Sequence, residues 1–452
     1  MNVAPLRKTG RYRAPQQAEP ASLTANTHKA AARILSQSSK VRAPIRPRGA
    51  GTSSTDCAAS PDGTTLSMTG LDRIIRIDPQ SMTVTAEAGV RLYALAEELA
   101  RHGLELIGNH EMMGRTLGGA IASPGLGPGI GRDAASLGRW VLSLKLATCN
   151  GRMTTVSTEQ KNLMGAIRSS YGLLGAIVQA TLKVRPITTF SADHRKLGID
   201  QFAGVVDRLS NADVGCRFYL MPHRDRVYLD LRRHASGERS PHATPWRFKD
   251  WGETTVLPRV CQSLNRILPI HSVRYRLIDS LSETTQEIVN SRFVKAGNNA
   301  MTRAGVSSAS SARPLLYSTW CFPASDFSFV LAAYRKFCLE SYERTGYRAD
   351  MPVTGYRIAK DASALLSPSF DEPMIALQTA STQPKGWDDF VIDLADFAEN
   401  WAGVPIYSQS RALRAEYANQ IYAERLDVFR RIRRQLDPQD RLLTPFMAQY
   451  FR

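Results

Sequence analysis

The stretch Arg46-Pro47-Arg48-Gly49-Ala50-Gly51-Thr52-Ser53-Ser54-Thr55-Asp56 constrains this chain more than any other. Two glycines, two arginines and a run of hydroxyls between apolar segments bring backbone N–H groups and positive charge toward one anion, as phosphate-cradling loops do. A single loop of this kind is common. Here a second glycine-rich loop follows over residues 114–129, and then a closing segment, Tyr171-Gly172-Leu173-Leu174-Gly175-Ala176-Ile177-Val178. Three such elements in this order are far more specific than any one.

Around the loops the pattern predicts both helices and strands. Residues 26–36 read as a short helix with Ala30, Ala31, Ile34 and Leu35 on one side. Strands are expected at 65–68, 74–77 and 83–86, then a helix in which Leu92, Leu95, Ala96 and Leu99 recur at helical spacing and Gly103 ends it. Residues 141–156 read as a hairpin, with Leu142, Leu144 and Leu146 alternating against Ser143 and Lys145 about a turn at Asn150-Gly151. A last strand, 176–184, stops before Pro186. Beyond residue 188, strands at 217–220, 227–231 and 315–322 alternate with helices and two long loops, 234–246 and 303–314, which read as lids or plain surface. A helix is expected from Arg414 to Leu436, with Leu426, Phe429, Ile432 and Leu436 inward and Arg430, Arg431, Arg433 and Arg434 outward, and Asp437-Pro438 ending it.

The three loop elements resemble the flavin-binding half of the vanillyl-alcohol oxidase family, most closely its aldonolactone oxidase, alditol oxidase and decaprenylphosphoryl ribose oxidase branches. The similarity covers most of residues 1–187 and the last segment, and the middle only thinly. It implies an α+β fold: a PCMH-type FAD-binding domain over 1–187, an antiparallel-sheet substrate domain over 188–400, and a segment, 401–452, that returns to the first domain. It implies that Arg48, Gly49, Ala50, Gly51, Thr52, Ser53 and Ser54, with Thr116, Leu117, Gly118, Gly119, Ala122 and Ser123, wrap the FAD diphosphate. Gly172, Gly175 and Ile177 then approach the dinucleotide. Gly10-Arg11-Tyr12-Arg13, in the arginine-rich leader, resembles the entry to that domain.

Flavin oxidation of a carbinol calls for positive charge near the N1–C2=O edge of the ring and usually a base for the hydroxyl proton. In Thr354-Gly355-Tyr356-Arg357-Ile358, followed by Leu366-Ser367-Pro368, Arg357 stands at the spacing of the alditol oxidase arginine that contacts flavin and substrate. The resemblance therefore implies Arg357 for the charge; the alternative is an arginine tying a strand to a carboxylate. Tyr356, Tyr407, Gln409 and Arg411 remain to orient an alcohol, with Tyr407 or water taking its proton, although each also reads as a side chain that merely packs. His110 and Glu111, just before the second loop, carry no pattern of their own.

Four departures from the relatives shape the expectation. Thr52 stands where aldonolactone oxidases carry the histidine that bonds covalently to flavin, so FAD is expected to be non-covalent. Gly355 replaces an acid two before the arginine, Leu126-Gly127 replaces His-Gly, and Gln409 or Ser410 replaces a lysine. The cofactor loops are kept while the substrate side is rebuilt.

Composition narrows the rest. At 452 residues the chain is long enough for two cores, and 43% hydrophobic with 22% charged residues is the balance of a globular protein. No apolar run reaches the roughly 18 residues of a spanning helix. A formal charge of +17 suits an anionic substrate, a peripheral membrane contact, nucleic acid or simply a solvated basic surface. No interleaving of aromatic and basic residues supports nucleic acid. Six scattered cysteines without Cys-x-x-Cys spacing predict reduced thiols in a cytoplasmic protein and no metal site. The leading expectation is an FAD-dependent oxidoreductase acting on a CH–OH group of a polyol, aldose, sugar lactone or specialised metabolite, with dioxygen or another carrier as electron acceptor. The alternatives are a flavoenzyme for desaturation or C–N oxidation, and a basic binding protein without turnover.

Overall fold

The computed structural model describes residues 21–109, 113–237, 244–297 and 315–452. The arginine-rich leader with Gly10 to Arg13, His110 and Glu111, the 303–314 loop and the middle of the 234–246 loop lie outside the described residues.

Three sheets organise the chain. In order, the strands are β1 (Ala21–Thr24), β2 (Ile45–Arg48), β3 (Thr64–Ser67), β4 (Ile74–Asp78), β5 (Thr83–Glu87), β6 (Leu104–Leu106), β7 (Val141–Ala147), β8 (Met153–Ser157) and β9 (Ala176–Pro186). They form a small parallel sheet, β1-β3-β2, and a second sheet, β4-β5-β9-β7-β8, in which β6 also pairs with β9. The remaining strands are β10 (Thr189–Leu197), β11 (Gly215–Met221), β12 (Arg226–His234), β13 (Phe293–Gly297), β14 (Leu316–Pro323), β15 (Val353–Ile358), β16 (Met374–Ser381) and β17 (Val404–Pro405). These make one antiparallel sheet, β13-β10-β12-β11-β15-β16-β14-β17. Helices lie against the sheets, so the fold is α+β.

The local chemistry explains most elements. Leu92, Leu95, Ala96 and Leu99 all point into the core from the helix Leu92–Arg101, and Gly103, at φ +70°, supplies the left-handed residue that ends it. In the β7–β8 hairpin the Asn150 side chain accepts from Arg152 N at 3.0 Å, and Gly151 takes φ +79°.

Four features differ from the sequence reading. A register shift between Val141 and Ser143 against β9 turns Leu142 outward, and Val141 takes the buried place. Strand β9 runs on to Pro186, because its last residues pair with β6. The helix expected over 414–436 is two helices, Ala415–Tyr422 and Glu424–Leu436, broken at Ala423 (φ 45°). No breaker residue marks that point; packing of Tyr422 on one side and Leu426 and Phe429 on the other sets it. Arg433 is buried rather than outward, with Nε donating to Phe451 O at 2.9 Å and Nη1 to Asp440 at 2.6 Å.

The C-terminal segment closes on the beginning of the chain. Asp437 accepts from the backbone N–H groups of Arg441 (2.8 Å) and Leu442 (2.7 Å), fixing a turn whose Arg441 carbonyl accepts from Ile45 N at 2.6 Å. Beside it the fully buried Arg46 guanidinium donates to Leu442 O at 2.7 Å and to Tyr171 O. Burial lowers the Arg46 pKa to about 10, which still leaves it charged at neutral pH. Replacing it by Met would strand two buried carbonyls, each costing about 1–3 kcal/mol. We expect Arg46→Met to destabilise the protein by about 3 kcal/mol in urea melts; a change under about 0.5 kcal/mol, the size of an ordinary surface effect, would contradict this role.

Candidate FAD site

Strand β2 delivers Arg48 to the mouth of a half-open cavity, whose empty space together with the solvent at its mouth is about 900 Å³. The first loop can approach the second only because Gly49 lacks a side chain: a Cβ there would stand 2.0 Å from the Thr116 hydroxyl. At Gly51, φ is +72° and a Cβ would meet the Arg48 guanidinium, so the arginine lies across the loop. Among the described residues the N–H groups of Ala50, Gly51, Thr52 and Ser53 have no acceptor in the chain, and Arg48 has no carboxylate partner. A row of unpaired donors beside a free guanidinium is the donor set of a diphosphate site.

The second loop is held from behind. Thr116 caps the short helix Leu117–Ala122 by accepting from Gly119 N, and Gly118 packs directly on Ala88. Arg115 donates to Gly119 O and to the Ser123 hydroxyl, both at 2.6 Å, and burial lowers its pKa to about 10. The closing segment adds Tyr171, Gly172, Gly175 and Ile177, and the far wall comes from Ser408 and Gln409. This last strap is tied to the first loop: Ser54 N donates to Ser408 O at 2.9 Å and the Thr55 hydroxyl to Tyr407 O at 2.5 Å.

Of the residues expected to bind cofactor, Arg48, Gly49, Ala50, Gly51, Thr52, Ser53, Thr116, Gly118, Gly119, Ala122, Ser123, Gly172, Gly175 and Ile177 all line this cavity. Leu117 and Ser54 do not. Leu117 is core beneath the second loop, and Ser54 is spent on the strap. Cavity-lining residues that the sequence reading missed include Arg115, Cys57, Tyr171 and Ser408. The first three stand in or beside the quoted motifs, and Ser408 lies between the candidates Tyr407 and Gln409.

On the catalytic side only Gln409 lines the cavity. Tyr407 sits in the core among Tyr171, Tyr422, Tyr450 and Phe451, outside the cavity lining, where burial pushes its hydroxyl pKa well above the usual range and disfavours the phenolate. Arg411 pairs with Asp388. Arg357 follows Tyr356 on β15, and its guanidinium donates to Gly131 O at 3.1 Å away from the cavity wall. Tyr356 is buried on the sheet face described next.

Directly paired residues of neighbouring antiparallel strands share a face. Tyr219, Thr354, Gln378 and Thr319 are successive partners across β11, β15, β16 and β14, and so form one polar row. The row meets the cavity at Gln409, whose Oε1 accepts from Gln378 Nε2 at 2.8 Å and from the Thr319 hydroxyl. Beside it runs a second row, Asp230, Arg217, Tyr356 and Ala376. At its far end Asp230, although desolvated, is held well below the usual carboxylate range by Lys249, Arg217 and His194.

Residues 180–450, more than half of the chain, match the D-arabinono-1,4-lactone oxidase family. The chain belongs to that family. Residues 20–157 match the FAD binding domain, and FAD is the cofactor that the cavity fits. Among relatives of this lactone oxidase family member, an L-gulono-1,4-lactone dehydrogenase of Mycobacterium tuberculosis is 29% identical over 248 residues, 52% of this chain and 56% of that protein. The mouse L-gulonolactone oxidase is 27% identical over 230 residues, 48% of this chain and 51% of the relative. The chain thus spans about half the length of the curated relatives it matches. A solved structure of cholesterol oxidase from B. sterolicum superposes with a TM-score of 0.77 over 100% of both chains at 15% identity, which shows the fold.

The Arg48 guanidinium is placed to give a bound diphosphate one charge-assisted contact. We expect Arg48→Ala to weaken FAD binding about tenfold or more, read by titrating the apoprotein with FAD. Unchanged affinity would take Arg48 out of the site.

Proposed function

We propose that this protein is an FAD-dependent oxidoreductase that oxidises a CH–OH group of a sugar lactone or related polyol, with the FAD held non-covalently. The observation that carries this reading is Gln409, which lines the cofactor cavity and accepts hydrogen bonds from the polar row of the large sheet. Bound there, FAD supplies an electron-pair acceptor for the carbinol C–H. Thr354 and Gln378, both partly exposed, present the hydroxyl and amide groups that hold a polyhydroxylated substrate beside it, while the buried Thr319 fixes Gln409. Neither an amide nor a hydroxyl takes up a proton at neutral pH, so the row orients the carbinol and the hydroxyl proton passes to water.

Non-covalent attachment is supported by the lining itself. Thr52 offers a hydroxyl, and among the described lining residues there is no histidine. The lining cysteine, Cys57, has its thiol pKa pushed up by burial, which disfavours the thiolate a flavin bond would need. All six cysteines are buried and unpaired, which suits the cytoplasmic setting we propose.

The test is anaerobic mixing of the FAD-loaded protein with L-gulono-1,4-lactone and D-arabinono-1,4-lactone, followed through the visible flavin absorbance. Bleaching with saturable dependence on lactone is expected, and Gln409→Ala should slow it about tenfold, near 1.4 kcal/mol. An unreactive flavin across lactones, aldoses and polyols would overturn the reading.

A further inference from the structure

The helices Leu257–Ile267 and His271–Glu287 cover part of the large sheet, and Leu257, Cys261 and Ile278 pack inward against Met351 and Ala380. Their outer side is apolar too. Ile270, Val273, Leu277 and Leu281 recur at spacings of three and four residues, forming one outward stripe about 16 Å long at the helical rise. At its start Ile267, which ends the first helix, and Ile270, which precedes the second, are 72% and 62% exposed. At its other end, beyond Leu281, a side chain on Gly252 would touch Thr285, which places Trp251 there with the tilted Phe248 ring 5.5 Å from it, centroid to centroid; both are exposed. Soluble surfaces seldom keep so many large apolar groups together unless they meet something.

Charge identifies what they meet. Residues 244–282 are all described. Within them Arg259, Arg266, His271 and Arg276 are exposed, and none has a carboxylate partner among the described residues. The acids of this stretch and of the rest of the second helix are all taken up in ion pairs: Asp279 with Arg348, Asp250 and Glu253 with Lys249, Glu283 with Arg224, and the partly exposed Glu287 with Lys196. An apolar stripe flanked by exposed cations without carboxylate partners, the nearby acids being held in ion pairs, complements a layer whose surface is anionic and whose interior is hydrocarbon. A second copy of the chain fits poorly, because a two-fold interface would set these cations against their own equivalents. We propose that this face docks on a bilayer surface rich in anionic lipid headgroups. No helix of the described residues is long and apolar enough to cross a membrane, so the contact lies at the headgroup level.

The experiment is co-sedimentation of the full-length, FAD-loaded protein with vesicles of phosphatidylcholine alone or mixed with phosphatidylglycerol. Binding to the mixed vesicles about tenfold tighter than to phosphatidylcholine is expected, weakened by added salt. The exposed positions tolerate change, so the triple variant Ile267→Ser, Ile270→Ser, Leu277→Ser should keep its melting temperature and FAD content yet lose vesicle binding. Arg266→Gln with Arg276→Gln should reduce binding toward the level of neutral vesicles. Absence of binding by the unaltered protein, or binding that survives the triple substitution, overturns the proposal. So does concentration-dependent dimerisation that the triple variant abolishes, which assigns the face to a second copy.

Discussion

The buried guanidinium of Arg46 is the contact on which the rest of the site depends. It joins three segments far apart in sequence, by donating to the carbonyl of Tyr171 in the closing segment and that of Leu442 in the C-terminal tail while standing at the root of the first loop. A charged group in this position costs desolvation, seen in its lowered pKa, and is tolerated because its bonds go to carbonyls that would otherwise be buried without a donor. The phosphate-cradling loop therefore starts from a fixed point. The strap 407–410 then closes the cavity by accepting from Ser54 N and the Thr55 hydroxyl, so the cavity wall is shared by the first loop and the strap.

The cofactor side was legible in the sequence because its glycines answer steric demands. Gly49 is required by Thr116, Gly51 by its positive φ and Arg48, and Gly118 by Ala88. A side chain at any of them would fill space that two loops already share, so residue type and position carry the information locally. The substrate side was not legible in the same way. The row Tyr219, Thr354, Gln378 and Thr319 exists only because β11, β15, β16 and β14 become neighbours, and their sequence separation hides that order. Motif spacing pointed to Arg357, and the pairing pattern places Thr354 and Tyr356 on the face of the polar rows. The same limit explains the break at Ala423 and the burial of Arg433, both set by distant partners.

The two halves of the molecule thus divide the chemistry. Loops from the first half turn backbone donors and Arg48 toward the cavity that fits the cofactor, an arrangement that depends on glycine and backbone more than on side-chain identity. The large sheet presents side chains, and these can be exchanged without disturbing the loops. A fold shared with a cholesterol oxidase at 15% identity is compatible with a very different set of groups on that face. In this chain the face is a polar row anchored on Gln409 with a buried, charge-balanced cluster behind it.

The central claim is that the glycine loops and the strap form a dissociable FAD site. Its most direct test is the absorption spectrum of the purified protein, followed by acid precipitation and assay of the supernatant for FAD. A yellow protein whose flavin is recovered as FAD in the supernatant is the predicted result. Flavin that stays with the precipitate would contradict the non-covalent site, and a colourless protein that takes up no added FAD would contradict the site itself.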